Sequence, residues 1–164
     1  MQSMSQAKAA VKVRLVASLA SMLALADAEA ADGITTPPPA QIEASEHTSL
    51  NGYPAIELVG RSSRKRIDST ADAYDHRIVA AVTLTGDDED TLTIWSERYM
   101  WAIRQFSNDR REFLPVDEDP ALADACDMLT GSEQYSPLLH GKAAGMEVPF
   151  VRGCFIELVV RTYE

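Results

Sequence analysis

The sequence predicts an α+β fold: a two-layer domain whose mainly antiparallel sheet is packed by an N-terminal helix and a central amphipathic helix. Three observations predict it. Apolar residues recur at helical spacing in two stretches, one from Leu15 to Ala26 and one from Leu92 to Phe106. Three other stretches read as strands, the first and last alternating in the two-residue period and the middle one apolar on both faces. The first two of those are joined by a short basic run, the kind of connection that antiparallel neighbours use. At 164 residues, 46% hydrophobic and 24% charged, the chain suits a single domain with a real core. That domain divides into a helix over 1–31, a proline-containing arm over 32–52 and a sheet-and-helix body over 53–164.

The first helix is expected from about Ser5 to Ala31, with Asp32-Gly33 as its stop. Two readings of this segment stand. Lys8, Lys12 and Arg14 ahead of an apolar run, with Ala24-Leu25-Ala26 after it, have the layout of a secretory signal. Yet Leu15, Leu19, Met22, Leu23 and Ala26 share one side, while Arg14, Ser18 and Ser21 share another. A helix docked on a sheet needs that sidedness, and an export signal does not, which favours a structural helix. The run reads as too short and too interrupted for a membrane span, which takes ~20 apolar residues.

The arm contains Pro37-Pro38-Pro39, which fix an extended path and forbid a helix. It either lies across the body or reaches a neighbour. Tyr53 to Gly60 is the first strand, with Ile56 and Leu58 on one face and Glu57 and Val59 on the other. Gly60 to Arg66 then leaves it as a flexible basic loop. Arg77 to Thr85 is a second strand, apolar on both faces and so expected to be covered on both. The acidic run Asp87 to Asp90 precedes a helix to about Ser107, whose buried stripe is Leu92, Trp95, Tyr99, Ala102, Ile103 and Phe106. Glu97, Arg98, Arg104 and Gln105 point elsewhere. Asp119-Pro120 suits the start of a short helix over Ala121 to Leu129, with a strand around Cys126 to Thr130 as the alternative. Gly131 to Pro149 reads as loop, and Phe150 to Tyr163 as a long closing strand.

The search for chemistry finds little. No G-x-S-x-G, Walker-type loop or H-E-x-x-H is present. His47, His76 and His140 are dispersed without ligand spacing. Capping explains the acidic runs at 87–90 and 117–119, and neither has the alternating oxygen pattern of a calcium loop. Cys126 and Cys154 form no zinc or disulfide framework, and Cys154 reads as a small buried hydrophobe. No enzyme, cofactor or metal site is expected. The net charge of −10 argues against a surface that grips nucleic acid as a whole.

Two features point outward. Arg61, Arg64, Lys65 and Arg66 form the sharpest charge run, either a solvated hairpin loop or an arm that contacts an acidic partner or passing DNA. Interleaved aromatics that would stack bases are missing from it. Ile94 and Trp101 lie two helical turns apart, opposite the buried stripe. They mark either a subunit interface or a patch that the arm over Ile34 to Gly52 covers.

In order and texture, the chain resembles the tail-terminator and head–tail joining (neck) proteins of long-tailed bacteriophages. The residues that carry the resemblance begin with Gly52-Tyr53-Pro54-Ala55-Ile56 after a first helix, then a charged loop and a strand ending in an acidic turn. A Trp-bearing helix and a closing strand with Phe150-Val151-Arg152-Gly153-Cys154-Phe155 complete the set. The resemblance implies a structural virion protein, assembled in the host cytoplasm, that closes into a six-membered (hexameric) ring, caps the tail tube and meets the head-completion or stopper protein. It implies no catalytic residues, no cofactor and no membrane. Under it, the four basic residues contact the tube or line the DNA passage, and Ile94 and Trp101 serve a subunit interface. The alternatives are another neck component, such as a stopper, or a small exported binding protein.

Overall fold

The structure, a computed structural model, describes residues 4–45, 49–66, 73–108, 126–136, 139–143 and 146–163. It is an α+β two-layer domain. Its elements are α1 (Met4–Ala30), β1 (Gln41–Glu43), β2 (Ala55–Lys65), β3 (Ala73–Gly86), α2 (Glu89–Asn108), β4 (Cys126–Tyr135), β5 (Leu139–Ala143) and β6 (Met146–Tyr163). The strands form a mixed sheet in the order β1-β2-β3-β6-β4, and β5 pairs with β6. Of the strand pairs among the described residues, β1–β2 alone is parallel.

The sheet's inner face follows from two-residue alternation. Ile78, Ala80, Val82 and Leu84 of β3 and Cys154, Ile156, Leu158 and Val160 of β6 all turn inward, with Ile56 and Leu58 of β2 beside them. Both helices lie on this face. α1 contributes Ala7, Val11, Leu15, Leu19 and Leu23, and α2 contributes Leu92, Tyr99, Met100 and Ile103. Each fully buried aliphatic side chain contributes roughly 1.5–3 kcal/mol. At Gly60, a Cβ would stand 2.9 Å from Met4 Cγ, so the bare backbone lets the start of α1 rest on β2. α1 ends where Ala31 (φ 49°) and Gly33 (φ 78°) turn left-handed.

α2 begins where expected. Asp88 Oδ2 accepts from the Thr91 backbone N–H at 2.8 Å, and the Asp88 carbonyl accepts from Leu92 N. That capping contact, from the Thr91 side chain as well as its backbone, holds the Asp88 carboxyl below its usual range.

Several expectations are corrected. The basic stretch is strand, because β2 continues to Lys65 with a bulge between Gly60 and Ser62. Cys126 to Thr130 is strand, the alternative to a helix there, and β4, β5 and the start of β6 occupy most of the described part of 131–149, where a loop was expected. Among the described residues, helices cover β3 on one face only, and Val79 and Ala81 on its outer face are half-buried. Arg98 does not point away from the core but is 7% exposed, and Arg14 is 6% exposed. α1 is one continuous helix, long and apolar enough to cross a membrane by length and composition, although eight of its residues are buried in the fold. The expectations on His47, Asp117 to Asp119 and the segment 109–125 lie outside the described residues, as does the side chain of Phe106.

Candidate functional site

The proline arm is fastened onto the body. Arg98 sits in mid-α2 and donates through Nη1 to Asp27 Oδ1 and to the Ile34 carbonyl, each at 2.7 Å, and through Nη2 to Asp32 Oδ2 at 2.5 Å. Thr36 closes the ring, donating to Asp27 from both its backbone N–H and its hydroxyl. Nearly one turn earlier Trp95 Nε1 donates to the Thr35 carbonyl, and the next residue, Tyr99, donates its hydroxyl to the Pro37 carbonyl. Extended proline backbone has few ladder partners of its own, so side chains of α2 satisfy its carbonyls. Beyond the prolines, Gln41–Glu43 adds to the sheet as β1. The arm therefore lies across the body.

The cluster is charged and its charges are matched. Burial pushes the Asp27 carboxyl upward, but hydrogen bonds from Thr36 and Arg98 outweigh it and leave the carboxyl lowered. The Arg98 hydrogen bond does most to lower Asp32. Burial works against the Arg98 charge, and the two carboxylates more than restore it. This is a structural latch with every charged member engaged. The sequence gives Arg98 away only in hindsight: a helical arginine with two aspartates at the end of the preceding helix.

The basic residues lie apart from that latch. Arg61 and Arg64 are exposed on the far half of β2, and neither has a partner among the described residues. Arg64 faces Asp75 in register across the hairpin, and Lys65 Nζ lies 5.9 Å from the Tyr74 ring centre. Lys65 and Arg66 make further contacts. On the inner side, Ser63 Oγ is 2.7 Å from Nδ1 of His76, which is buried. Arg77 on the outer side pairs with Glu157 at 3.2 Å.

Ile94 and Trp101 are both half-buried on α2, and Trp101 packs partly against the core. Between them Glu97 is exposed, and beyond them Arg104 grips Glu133 of β4 through two hydrogen bonds at 2.7 and 2.5 Å. α2, which carries Ile94 and Trp101, packs on α1, β3, β4 and β6, while the basic run lies on the far half of β2, and the structure does not bring them into one site. Among the described residues, no group of three or more His, Cys, Asp or Glu side chains is placed to hold a metal.

No protein-family model matches the chain, and no curated protein matches it.

Two apolar surfaces remain, both missed as surfaces by periodicity. The first is the outer side of α1. From Ala9 to Ala28 its exposed positions are Ala9, Val13, Val16, Ala17, Ala20, Ser21, Ala24, Leu25 and Ala28, without one charge. Val16 is 62% exposed and Leu25 44%. A helix apolar on all sides is normally enclosed on all sides. The second is the sheet's outer face, where Val59, Val79, Ala81 and Val159 are half-buried and Phe155 is 37% exposed. A depression of about 430 Å³ opens there, lined by Arg61, Val79, Gln134, Phe155 and Glu157. Such surfaces mark contacts with other macromolecules.

Proposed function

We propose that this chain is a structural assembly subunit, and specifically a tail terminator that closes into a ring on a phage tail tube and joins it to the neck. The observation that carries assembly is the uncharged outer side of α1 in a chain of net charge −10. Its companion surface lies on the opposite layer of the domain, and two different sticky faces on opposite sides give head-to-tail contacts that end in a ring when the rotation closes. The terminator reading rests on the order helix, strand, basic hairpin, strand, acidic cap, Trp-bearing helix and closing strand, to which this fold adds β1, β4 and β5. In it, Arg61, Arg64, Lys65 and Arg66 reach the tube or the DNA passage, and Ile94 and Trp101 belong to a subunit contact. A stopper would share this order.

The test is the native mass of the purified protein, with electron microscopy of mixtures with preformed tail tubes. The expected result is a closed ring that seats on tube ends. A protein that stays single at high concentration and ignores tubes overturns the reading. The length and apolar character of α1 favour one second reading, an export signal on a small binding protein. Release of a shortened chain, cut near Asp27, would support that reading.

A further inference from the structure

We propose that the outer side of α1 of one copy docks on the outer sheet face of the next, so that each subunit is a three-layer sandwich completed by its neighbour. This rests on the assembly reading and names its interface.

The argument starts from what each surface lacks. α1 already packs Leu15, Leu19 and Leu23 on a sheet, and its far side leaves Val13, Val16 and Leu25 exposed among the described residues. Of the large hydrophobic side chains exposed among the described residues, those three lie on α1 and Phe155 lies on the outer sheet face. Tyr135, the remaining one, sits at the β4 edge against Arg152. The valines and Phe155 of the outer sheet face, with the Arg77–Glu157 pair among them, offer a helix an apolar seat in which that pair's charges are already matched. The depression between Val79 and Phe155, rimmed by Arg61, Gln134 and Glu157, offers room for an aliphatic side chain of that helix.

Charge agrees with that pairing. Glu29, one turn beyond Leu25, has no partner among the described residues, and neither does Arg61 at the rim of the depression. Docking the end of α1 near Arg61 offers each its counter-ion. A membrane is the weaker occupant, since burying α1 in lipid would withdraw its leucines from the core and break the Asp27–Arg98 pair. The helix face is about 28 Å long at ~1.5 Å per residue, and with a width of ~10 Å it is small beside the ~800 Å² per partner of a standard interface. A single contact is therefore weak, and closure of a ring, in which every subunit uses both faces, supplies the rest.

The experiment uses the full chain, carrying either Val16→Glu or Phe155→Glu, in sedimentation velocity. Val16 is on the surface, so its variant should fold; Arg61→Glu stands in for the sheet face if the Phe155 variant unfolds. Each variant alone is expected to drop from the assembled mass to the single-chain mass. Each still carries the face that the other has lost, so a mixture at high concentration is expected to form a one-to-one pair. A folded variant that assembles like the wild type overturns the proposal, as does a mixture that stays single at the highest soluble concentration. Those outcomes, with a wild type that still forms rings, leave the assembly reading standing. A wild type that never associates removes both.

Discussion

Arg98 Nη1 lies 2.7 Å from Asp27 Oδ1, so one guanidinium in mid-α2 ties down the last turn of α1 and, through Ile34 and Asp32, the start of the arm. Two segments more than sixty residues apart in sequence meet on a side chain that is almost wholly out of water. Breaking such a pair leaves carboxylates and carbonyls short of a partner.

Replacing Arg98 with Met should therefore lower the unfolding free energy by about 3 kcal/mol, at the low end for a broken buried pair. The low end applies because the Asp32 side chain remains 37% exposed and regains water. Urea titration followed by far-UV circular dichroism gives the number. Trp95 reports the arm separately, because its indole N–H holds the Thr35 carbonyl. A change below ~0.5 kcal/mol, the level of an ordinary surface substitution, would show that the latch is ornamental.

The same cluster sets an acid limit. Asp27 and Asp32 both have carboxyls lowered in the folded state relative to the ordinary value of 3.8. A depressed folded value means that the unfolded chain binds protons first, so this stability is fully present above 3.8 and is lost as pH falls through the folded values. Thermal midpoints measured from pH 6 downward should fall more steeply below about 4 in the wild type than in the Arg98→Met protein. Parallel curves for the two proteins would rule the latch out as the source.

The elements legible in the sequence were those with a clean period. Ile56 and Leu58 against Glu57 and Val59, the stripe of Leu92, Tyr99 and Ile103, and the alternation from Cys154 to Val160 all stand in the structure as the pattern predicts. What failed to show was decided by distant partners. Gly131 to Pro149 looks like loop because its glycines and prolines punctuate it, yet pairing with β6 makes most of its described part strand. Arg98 looks like surface because arginine usually is, and only Asp27 and Asp32, more than sixty residues earlier, draw it in. The outer side of α1 hid for the opposite reason. Alanine is compatible with both burial and exposure, so a run of it carries no period to read.

Changing Arg61, Arg64, Lys65 and Arg66 together to Ser should leave folding nearly untouched and abolish tube capping under the terminator reading. Arg61 and Arg64 are exposed and without partners among the described residues, so stability should move by no more than about 1 kcal/mol. Tube ends counted by electron microscopy give the functional half. Normal capping by the folded quadruple variant would remove the basic hairpin from the mechanism.

Trp101→Ala separates two roles of one side chain. Trp101 packs partly against the core, so the variant should lose roughly 1–3 kcal/mol of unfolding free energy, less than the ~3–5 kcal/mol of a fully buried Trp. If the exposed part also serves a subunit contact, the ring should dissociate at concentrations where the folded variant subunit is intact. An intact ring at unchanged concentration restricts Trp101 to the core.

Cys154 offers a check at the alkaline end. Burial pushes its thiol from the ordinary 9.0 up to about 12. Because the folded thiol holds its proton longer than the unfolded one, its contribution is constant below pH 9 and declines as pH rises from 9 towards 12. The decline approaches about 1.4 kcal/mol for each pH unit. Tyr99, whose hydroxyl burial also raises, adds a second decline above pH 10. Cys154→Ala removes the first and leaves the second. Its unfolding free energy starts lower, because a buried side chain has been cut back, but should fall less steeply between pH 9 and 10 than that of the wild type. Equal slopes in that interval would mean that the thiol reaches water in the folded protein, and with it that α2 does not stay closed over β6.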